Sequence, residues 1–383
     1  MVIVGNVNPA ATAVMRASLN QSNAIQASER VRQPMDRDRR KSDVQALPAG
    51  CLLALARTLS SGEYLSLGDL AARMDLSPED VRRGIDVLKS QGVKVIEECG
   101  IRYRLDAPLD LLDGNLLRRE LADRAPDLVV ELVDECDSTS ELLASRLATA
   151  PGGTVLTCEY QRAGHGRRGH RWTSGLAASL TFSLLWRFGG GSTALSGLSL
   201  AVAVAVSQAL ERRGLSGISL KWPNDLLFRG RKLGGILIEV SGSPHGSSTA
   251  IIGIGLNVRL PVEVHAVIDR PVTDLAEVAS IGVGNGNSSP LPDRGALLGE
   301  VLTALAVMLP RYEQAGFAAF RAAWEERHAH RGKQVLLLRD SLTIAEGEAV
   351  GVAEDGSLLL RTARGLERFH SGEVSLRTSG LGT

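Results

Sequence analysis

Between about residue 48 and 106 the apolar positions change period twice. Leu52, Leu55, Ala56 and Leu59 form one helical stripe, and Leu67, Leu70, Ala71 and Met74 form a second at i, i+3, i+4, i+7 spacing. Asp75-Leu76 makes a short turn. Ser77 then caps a third helix, with Pro78 at its first position and Glu79 and Asp80 in its first turn. That helix presents Val81, Ile85 and Leu88 to a core and stops at Gly92. Beyond it the period falls to two. Val93 and Val95, then Ile101, Tyr103 and Leu105, alternate around Gly100 and predict a hairpin. Three helices and a hairpin in this order read as a helix-turn-helix followed by a wing.

From about 127 to 328 short apolar runs mix with longer ones. Residues 128–132, 154–158, 180–185, 218–220, 235–240 and 251–254 read as strands. Residues 195–210 and 296–309 read as helices, with a further one through Phe317, Phe320 and Trp324. Strands covered by helices on one face predict an α+β domain with a mixed sheet. Residues 283–292, rich in Gly, Asn, Ser and Pro, read as a loop. After Arg331-Gly332-Lys333, short apolar runs separated by Gly347, Gly356, Gly365 and Gly372 predict a small β-barrel. The expectation is an α+β multidomain protein: a tail at 1–46, a winged helix-turn-helix at 47–107, a central α+β domain at 120–329 and the barrel at 330–378.

Length alone predicts two or three domains. With 44% hydrophobic and 22% charged residues, the chain can bury a substantial core. Lys+Arg and Asp+Glu both number 43, so no global charge argues for nucleic acid or a membrane, and local patches must carry either case. Cys51, Cys99, Cys136 and Cys158 lack C-x-x-C spacing, which gives neither a zinc site nor a disulfide scaffold and fits a reducing cytoplasm. No run of about 18 apolar residues occurs, so no membrane span is expected. Residues 1–46 lack the compact apolar block of a signal peptide and read as a disordered tail, with Met35 as a second candidate start.

Two segments carry chemistry. Gln161-Arg162-Ala163-Gly164-His165-Gly166-Arg167-Arg168-Gly169-His170-Arg171-Trp172 interleaves glycines with cations. Glycine lets backbone N–H groups approach and face an anion, and Arg167, Arg168 and Arg171 add forked donors for phosphate or carboxylate. Such a loop wants a small, densely negative ligand. The second, Lys221-Trp222-Pro223-Asn224-Asp225 followed by Arg231-Lys232-Leu233-Gly234-Gly235, gathers Lys221, Asn224, Asp225 and Lys232 on a turn between apolar runs. Gly164 to Gly169 also spells the G-x-G-x-x-G of dinucleotide sites. That fingerprint opens a helix and meets an acidic residue about 20 positions later. Here the β-like run Ser179 to Trp186 follows, and no carboxylate lies between Glu159 and Glu211. The dinucleotide reading fails. A basic surface or nucleic-acid patch fits the loop alone but not the two segments together.

Read together, these residues resemble the catalytic domain of biotin–protein ligases. The hallmark of that family is a Gly/Arg-rich loop ending in Trp, then Lys-Trp-Pro-Asn-Asp, then Arg-Lys-Leu-Gly/Ala-Gly before a strand. All three occur in order, and Gly253-Ile254-Gly255-Leu256-Asn257 supplies the later Gly-x-Gly-x-Asn. Asp137-Ser138-Thr139-Ser140 matches an earlier Asp-Ser-Thr-Asn except at its last position. Residues 47–107 resemble the DNA-binding module that bifunctional members carry, and Gly372 to Arg377 resembles the closing strand of the family's C-terminal barrel.

The resemblance implies a biotin–[acetyl-CoA-carboxylase] ligase that activates biotin with ATP and Mg²⁺ as biotinyl-5′-adenylate. A lysine of a biotin carboxyl carrier protein would then take the biotin. No tightly bound metal or flavin is implied. Arg167, Lys221, Asp225 and Lys232 would be catalytic: Arg167 and Lys232 screen the biotin carboxylate, Lys221 and Mg²⁺ the triphosphate. Asp225 would hold Mg²⁺ and receive the incoming lysine. Ser138, Thr139, Ser140, Gln161, His165, Gly166, Arg167, Lys232, Gly234 and Gly235 would bind biotin, while Ser138 or Thr139 would serve equally as the cap of the following helix. Arg168, Trp172, Lys221, Asn224 and Asn257 would bind ATP. The bifunctional members further imply a repressor of biotin-synthesis genes, operator DNA as partner, and a homodimer in the adenylate-bound state. Arg82, Arg83, Lys89, Arg102 and Arg104 would attract the DNA, against repulsion from Glu79 and Asp80 at the base-reading end of the helix.

Two positions depart from the family pattern. His165 stands where arginine is usual, so a constant cation becomes a titratable one, and Ser140 replaces Asn, losing an amide donor and acceptor. Three other readings stay open: a ligase whose winged helix is silent, a lipoate or octanoyl transferase, and a biotin sensor without catalysis. The intact Lys-Trp-Pro-Asn-Asp argues against the second. Arg167, Lys221, Asp225 and Lys232 together argue against the third.

Overall fold

The computed structural model describes residues 50–281, 290–371 and 375–378. The tail expected at 1–46, most of the loop at 283–292, and Gly372 to Val374 lie outside them. Helix α1 (Cys51–Leu59), strand β1 (Leu65–Ser66), helices α2 (Leu67–Met74) and α3 (Pro78–Ser90), and strands β2 (Val95–Glu98) and β3 (Arg102–Leu105) make the N-terminal module. Ser66 caps α2 in a reciprocal box: its Oγ accepts from Asp69 N at 3.1 Å while Asp69 accepts from Ser66 N. Asp75 takes the left-handed conformation that ends α2. The apolar stripes read from the sequence meet as Leu55, Leu59, Leu70, Val81, Ile85 and Leu88, all buried. The predicted hairpin acquires β1 as a third strand, in the order β1-β3-β2. A two-residue strand carries no periodicity to read.

The central domain opens with helix α4 (Gly114–Leu121) and continues through β4 (Val129–Cys136), α5 (Thr139–Ala144), β5 (Thr154–Gln161), β6 (Ser179–Phe188) and α6 (Leu198–Arg212). Strands β7 (Ile218–Lys221), β8 (Asp225–Phe228), β9 (Arg231–Gly242) and β10 (Ser248–Asn257) follow, then helices α7 (Val262–Ala266), α8 (Leu275–Ile281), α9 (Arg294–Ala315) and α10 (Arg321–Glu325). The sheet is mixed, as expected: its order is β4-β5-β6-β10-β9-β8-β7, with β4 parallel to β5 and its other pairs antiparallel. Helix α6 is apolar on nearly every side because α9 and the sheet both cover it. It starts at Leu198 rather than 195, since Ser192–Leu195 is a separate 3-10 turn. Helix α9 runs past the expected stop at 309, carrying Pro310 inside it, because Tyr312 extends the buried face. By length and composition α9 is apolar enough to cross a bilayer, yet it packs within the fold. Helix α4, unforeseen, adds Leu117 and Leu121 to the main core, which therefore begins before residue 120.

Strands β11 (Gln334–Arg339), β12 (Leu342–Val352), β13 (Leu358–Thr362), β14 (Gly365–Phe369) and β15 (Ser375–Thr378) form the C-terminal domain. Their order, β14-β13-β12-β11-β15, is antiparallel throughout, so the expected small β domain is a five-stranded sheet among the described residues. Gly347 lies inside β12 rather than between strands. A Cβ there would sit 2.5 Å from the Arg361 carbonyl oxygen, so the glycine marks a close approach of backbones. Val335, Leu337, Leu358 and Leu360 join the main apolar core.

One buried ion pair ties the segment after the N-terminal module to the central sheet. Arg294, 1% exposed, donates to Glu159 Oε2 at 2.6 Å and to the carbonyl oxygens of Asp110 and Ser179, both at 2.8 Å. Glu159 also accepts from Leu112 N at 2.5 Å. Removing one member of such a pair strands the other charge in the core, which costs about 3–5 kcal/mol. Arg294→Met should lose about that much stability in urea unfolding, and adding Glu159→Gln should recover part of it. A loss under about 1 kcal/mol, the range of an exposed pair, would contradict this.

A second buried polar group sits where the central and C-terminal domains join. Leu220 N donates to Arg327 O at 2.7 Å, and Ala329 N donates to Leu220 O at 2.9 Å. The His328 ring lies against Trp324, centroids 4.5 Å apart. Neither His328 nitrogen, nor His330 Nδ1, has a hydrogen-bond partner among the described residues. Burial pushes His328 down to about 3 and His330 to about 4, with neighbouring cations adding to the effect. Both are neutral in the fold, so their contribution is intact above an unfolded pKa near 6.5 and is lost as pH falls towards 4 and then 3. Each should add about 1.4 kcal/mol per pH unit to the acid slope of stability. Denaturation of His328→Phe between pH 7 and 4 should show a flatter slope; an unchanged one would place the acid sensitivity elsewhere.

Candidate active site

A cavity of about 820 Å³ opens above β9 and β10, between the Gly/Arg loop, the turn from β7 to β8, and the C-terminal sheet. Its floor is built from residues without side chains. A Cβ on Gly253 would sit 2.7 Å from Ser140 Oγ, and one on Gly255 would sit 2.5 Å from the Trp172 ring. Glycine at these two points lets α5 and Trp172 lie directly on β10.

The Gly/Arg loop is closed on itself. Gly166 N donates to His170 O at 2.7 Å, and Trp172 N donates to Gly164 O at 2.8 Å. Arg168, with φ 60°, turns the chain and pairs with Asp340 at 3.3 Å. Arg167 reaches Asn224 Oδ1 at 3.4 Å and also donates to the Ser371 carbonyl oxygen, so central and C-terminal domains share this loop. Burial lowers the pKa of Arg167, opposed by Asp225. His165 Nδ1 stands 3.5 Å from Glu141 Oε1.

On the opposite wall, Asn224 N donates to Lys221 O at 3.1 Å and closes the turn that contains the cis Trp222-Pro223 bond. Trp222 is fully buried and donates from Nε1 to Gly356 O at 3.0 Å, anchoring the turn to the C-terminal domain. Asp225 Oδ1 accepts from Lys232 Nζ at 2.6 Å. Lys221 is pushed down by burial, partly restored by Asp225 and lowered further by Arg377, Lys232 and Arg270. Among the described residues seven lysines and arginines line the cavity (167, 168, 171, 221, 232, 270 and 377) against three carboxylates (225, 263 and 269). A cavity of that balance takes an anion.

The far end is neutral and polar. Ser138 caps α5, accepting from Glu141 N at 3.4 Å, and also lines the cavity. Gln161 Oε1 accepts from Thr139 N at 2.8 Å and from Thr139 Oγ1 at 3.2 Å. The hydroxyls of Thr139 and Ser140 both reach Ser183 Oγ, at 2.8 and 2.9 Å. Toward the third side, Val264, Ile268 and Val272 make an apolar wall beside Trp172 and Asn257. Asn257 Nδ2 donates to Thr273 O at 2.9 Å, whereas its Oδ1 and Trp172 Nε1 are buried with no partner among the described residues. Two orphaned polar atoms on one cavity mark groups that a ligand would satisfy.

The expected biotin- and ATP-site residues line the cavity, except Gly234. Gly234 sits a layer back, where a Cβ would meet Gly255 O at 2.8 Å, so it serves strand packing. Arg270, Arg377 and the apolar wall escaped the sequence reading, as did Ser90 and Gln91 from the N-terminal module, and Ser183, which lies behind Thr139 and Ser140 as their hydroxyl partner. The spacing of Val264 and Ile268 was a weak helical signal. The two arginines had none. The cations expected to meet DNA lie elsewhere, on the N-terminal module: Arg83 pairs with Asp80, Lys89 with Glu97 at 3.2 Å, Arg102 with Glu98 at 3.1 Å, and Arg104 stacks on Tyr64, while Arg82 is exposed.

Two segments match family models: residues 133–257 match the biotin/lipoate A/B protein ligase family, and residues 330–377 match the biotin protein ligase C terminal domain. The chain is 30% identical over 327 residues to the bifunctional ligase/repressor BirA of Escherichia coli strain K12, covering 85% of this chain and 97% of that one. It is 32% identical over 247 residues to a biotin–[acetyl-CoA-carboxylase] ligase of Paracoccus denitrificans, covering 62% and 96%. Among solved structures, the biotin protein ligase from Aquifex aeolicus in complex with biotin and ATP superposes with TM-score 0.54 and 32% identity, over 65% of this chain and 99% of that one. With the ordered motifs around one cation-lined cavity and both matched segments behind it, this chain belongs to the biotin protein ligase family and is a ligase.

Proposed function

We propose that the cavity activates biotin on ATP and hands it to a carrier-protein lysine. The biotin carboxylate attacks the α-phosphorus, pyrophosphate leaves, and biotinyl-5′-adenylate stays bound. The lysine amine then attacks the acyl carbon, AMP leaves, and the amine gives up a proton. The observation that carries this reading is the surplus of cations beside a neutral polar pocket and a wall with orphaned amide and indole groups. Two anions must meet, and their repulsion is the main obstacle. Arg167 and Lys232 would screen the carboxylate, and Lys221, with Arg270 and Arg377, the triphosphate. Each charged hydrogen bond is worth about 1.5–3 kcal/mol, so two or three amount to several orders of magnitude in rate. Ser138, Thr139, Ser140 and Gln161 would hold the ureido ring, and Trp172, Asn224 and Asn257 the nucleotide.

Magnesium is commonly met by one or two carboxylates plus substrate phosphates. The described residues hold no cluster of three acidic, His or Cys ligands. Asp225 offers one carboxylate, so the site fits an ion carried mainly by the nucleotide, which would neutralise triphosphate charge. Asp225 itself, held by Lys232, would receive the incoming amine and its proton. Lipoate is the other acyl class of the first matched family, and the C-terminal match favours biotin.

The N-terminal module we read as a winged helix-turn-helix that binds operator DNA in response to the adenylate, with a homodimer as the bound form. Its support is the order of helices and hairpin, and the alignment with a bifunctional ligase/repressor across 85% of the chain.

Three outcomes follow. With biotin, ATP and Mg²⁺ the protein should release pyrophosphate, and a carrier domain should gain the mass of biotin on one lysine; no pyrophosphate with biotin would end this reading. Arg167→Gly removes about 2–3 kcal/mol of charge-assisted bonding. It should still make adenylate but release it roughly 30- to 150-fold faster, labelling exposed lysines on unrelated proteins. If it retains adenylate like the wild type, Lys232 becomes the better gate. Operator binding that neutralises about four phosphates should give a log K against log salt slope near −3.6. Arg82→Ala with Arg83→Ala should weaken it, and unchanged affinity would show that α3 does not contact DNA.

A further inference from the structure

The end of α3 belongs to the N-terminal module, yet Ser90 and Gln91 line the ligand cavity. The turn that follows is pressed against the central domain. Gly92 has φ 77°, and a Cβ there would overlap Pro261 Cβ and lie 2.6 Å from its Cγ and 2.8 Å from Glu263 Oε2. Pro261 precedes α7, whose Val264 packs with Leu260, Ile268 and Val272 as the apolar wall of the cavity. That wall has little support of its own: α7 is five residues long and its cluster has four members, and helices this short are marginal without packing. Across the cavity mouth, the chain leaving Trp172 reaches Leu176, which is buried in the core of the N-terminal module. Beside it, a Cβ on Gly175 would meet Val264 Cγ2 at 3.2 Å and Pro261 Cδ at 3.3 Å.

We infer that the Gly92 turn is a positioning element for the ligase reaction, bracing the Pro261–Val272 wall so that it grips the nucleotide half of the adenylate. The same turn ends the helix read as DNA-contacting, so ligand retention and the placement of that helix share one contact. The inference rests on the reading that this cavity holds the adenylate. Displacing the wall loosens the bound nucleotide without touching the groups that surround the reacting atoms. The expected pattern is faster adenylate release and a higher KM for ATP, with kcat little changed.

The test is a double-mutant cycle on the full chain, with adenylate dissociation, ATP KM and circular dichroism measured for each variant. Gly92→Ala should release adenylate about two- to thirty-fold faster. Pro261→Gly removes the overlapped atoms while leaving any backbone strain at residue 92 in place. The Gly92→Ala/Pro261→Gly pair should therefore release no faster than Pro261→Gly alone. Hydrogen exchange supplies a readout without mutation: filling the site with biotin and ATP should slow the amides of residues 88–93 together with those of 260–272. A folded Gly92→Ala with wild-type release, additive effects in the pair, or unaltered exchange at 88–93 would each overturn the inference. Should Gly92→Ala fail to fold, the exchange measurement decides. A wild-type protein that forms no adenylate at all refutes the ligase reading instead.

Discussion

Among the described residues seven cationic side chains converge on a cavity that holds three carboxylates, and within the catalytic cluster Lys232 is bonded to Asp225. Lys221 and Arg167 carry their charge in a buried setting that lowers both of their pKa values. Such an arrangement is expensive for the fold to hold without its ligand. In the proposed reaction it would also bring a carboxylate and a triphosphate together, since fixed cations need no rearrangement when the anions meet. The surplus charge is thus a cost to the empty protein and the source of its chemistry.

Much of the surrounding structure serves to hold those cations still. The Lys221–Asp225 turn is pinned from behind by Trp222, whose indole is bonded to the C-terminal domain at Gly356. The Gly/Arg loop is bonded to itself and reaches the same domain through Arg167 and Arg168. That explains why a small C-terminal sheet accompanies the catalytic core. The floor obeys a different constraint. Gly253 and Gly255 bring Ser140 and Trp172 onto the strand, and any side chain there would lift both.

The sequence was most legible where local chemistry and local structure coincide. The capped helix from Pro78, the Gly/Arg loop and the Lys-Trp-Pro-Asn-Asp turn each carry their own signal within a few residues; the helix begins where it was expected, and the loop and turn line one cavity. The helical stripes of the N-terminal module also met as expected, because 3.6-residue periodicity reports a buried face directly. What stayed hidden depends on residues far apart. Arg377 and Arg270 are ordinary surface-type arginines until β15 and the segment before α8 carry them towards Lys221. Ser183 is one polar position in an apolar strand until α5 lands on it. Gly347 read as a strand break because spacing cannot distinguish a turn glycine from one where backbones approach. Most of the cations expected to attract DNA are engaged by acidic or aromatic neighbours within the module, partners that helical and strand spacing alone does not reveal.

A crystal structure of this chain with a non-hydrolysable sulfamoyl analogue of biotinyl adenylate tests the proposed position of each half of the ligand directly. The predicted result has the ureido ring among Ser138, Thr139, Ser140 and Gln161, and the phosphate-mimicking group within hydrogen-bonding distance of Arg167 and Lys232. The adenine should contact Trp172 and the Val264–Val272 wall, satisfying Asn257 Oδ1. An analogue bound in the reverse direction, or held outside the ring of cations, would contradict the account.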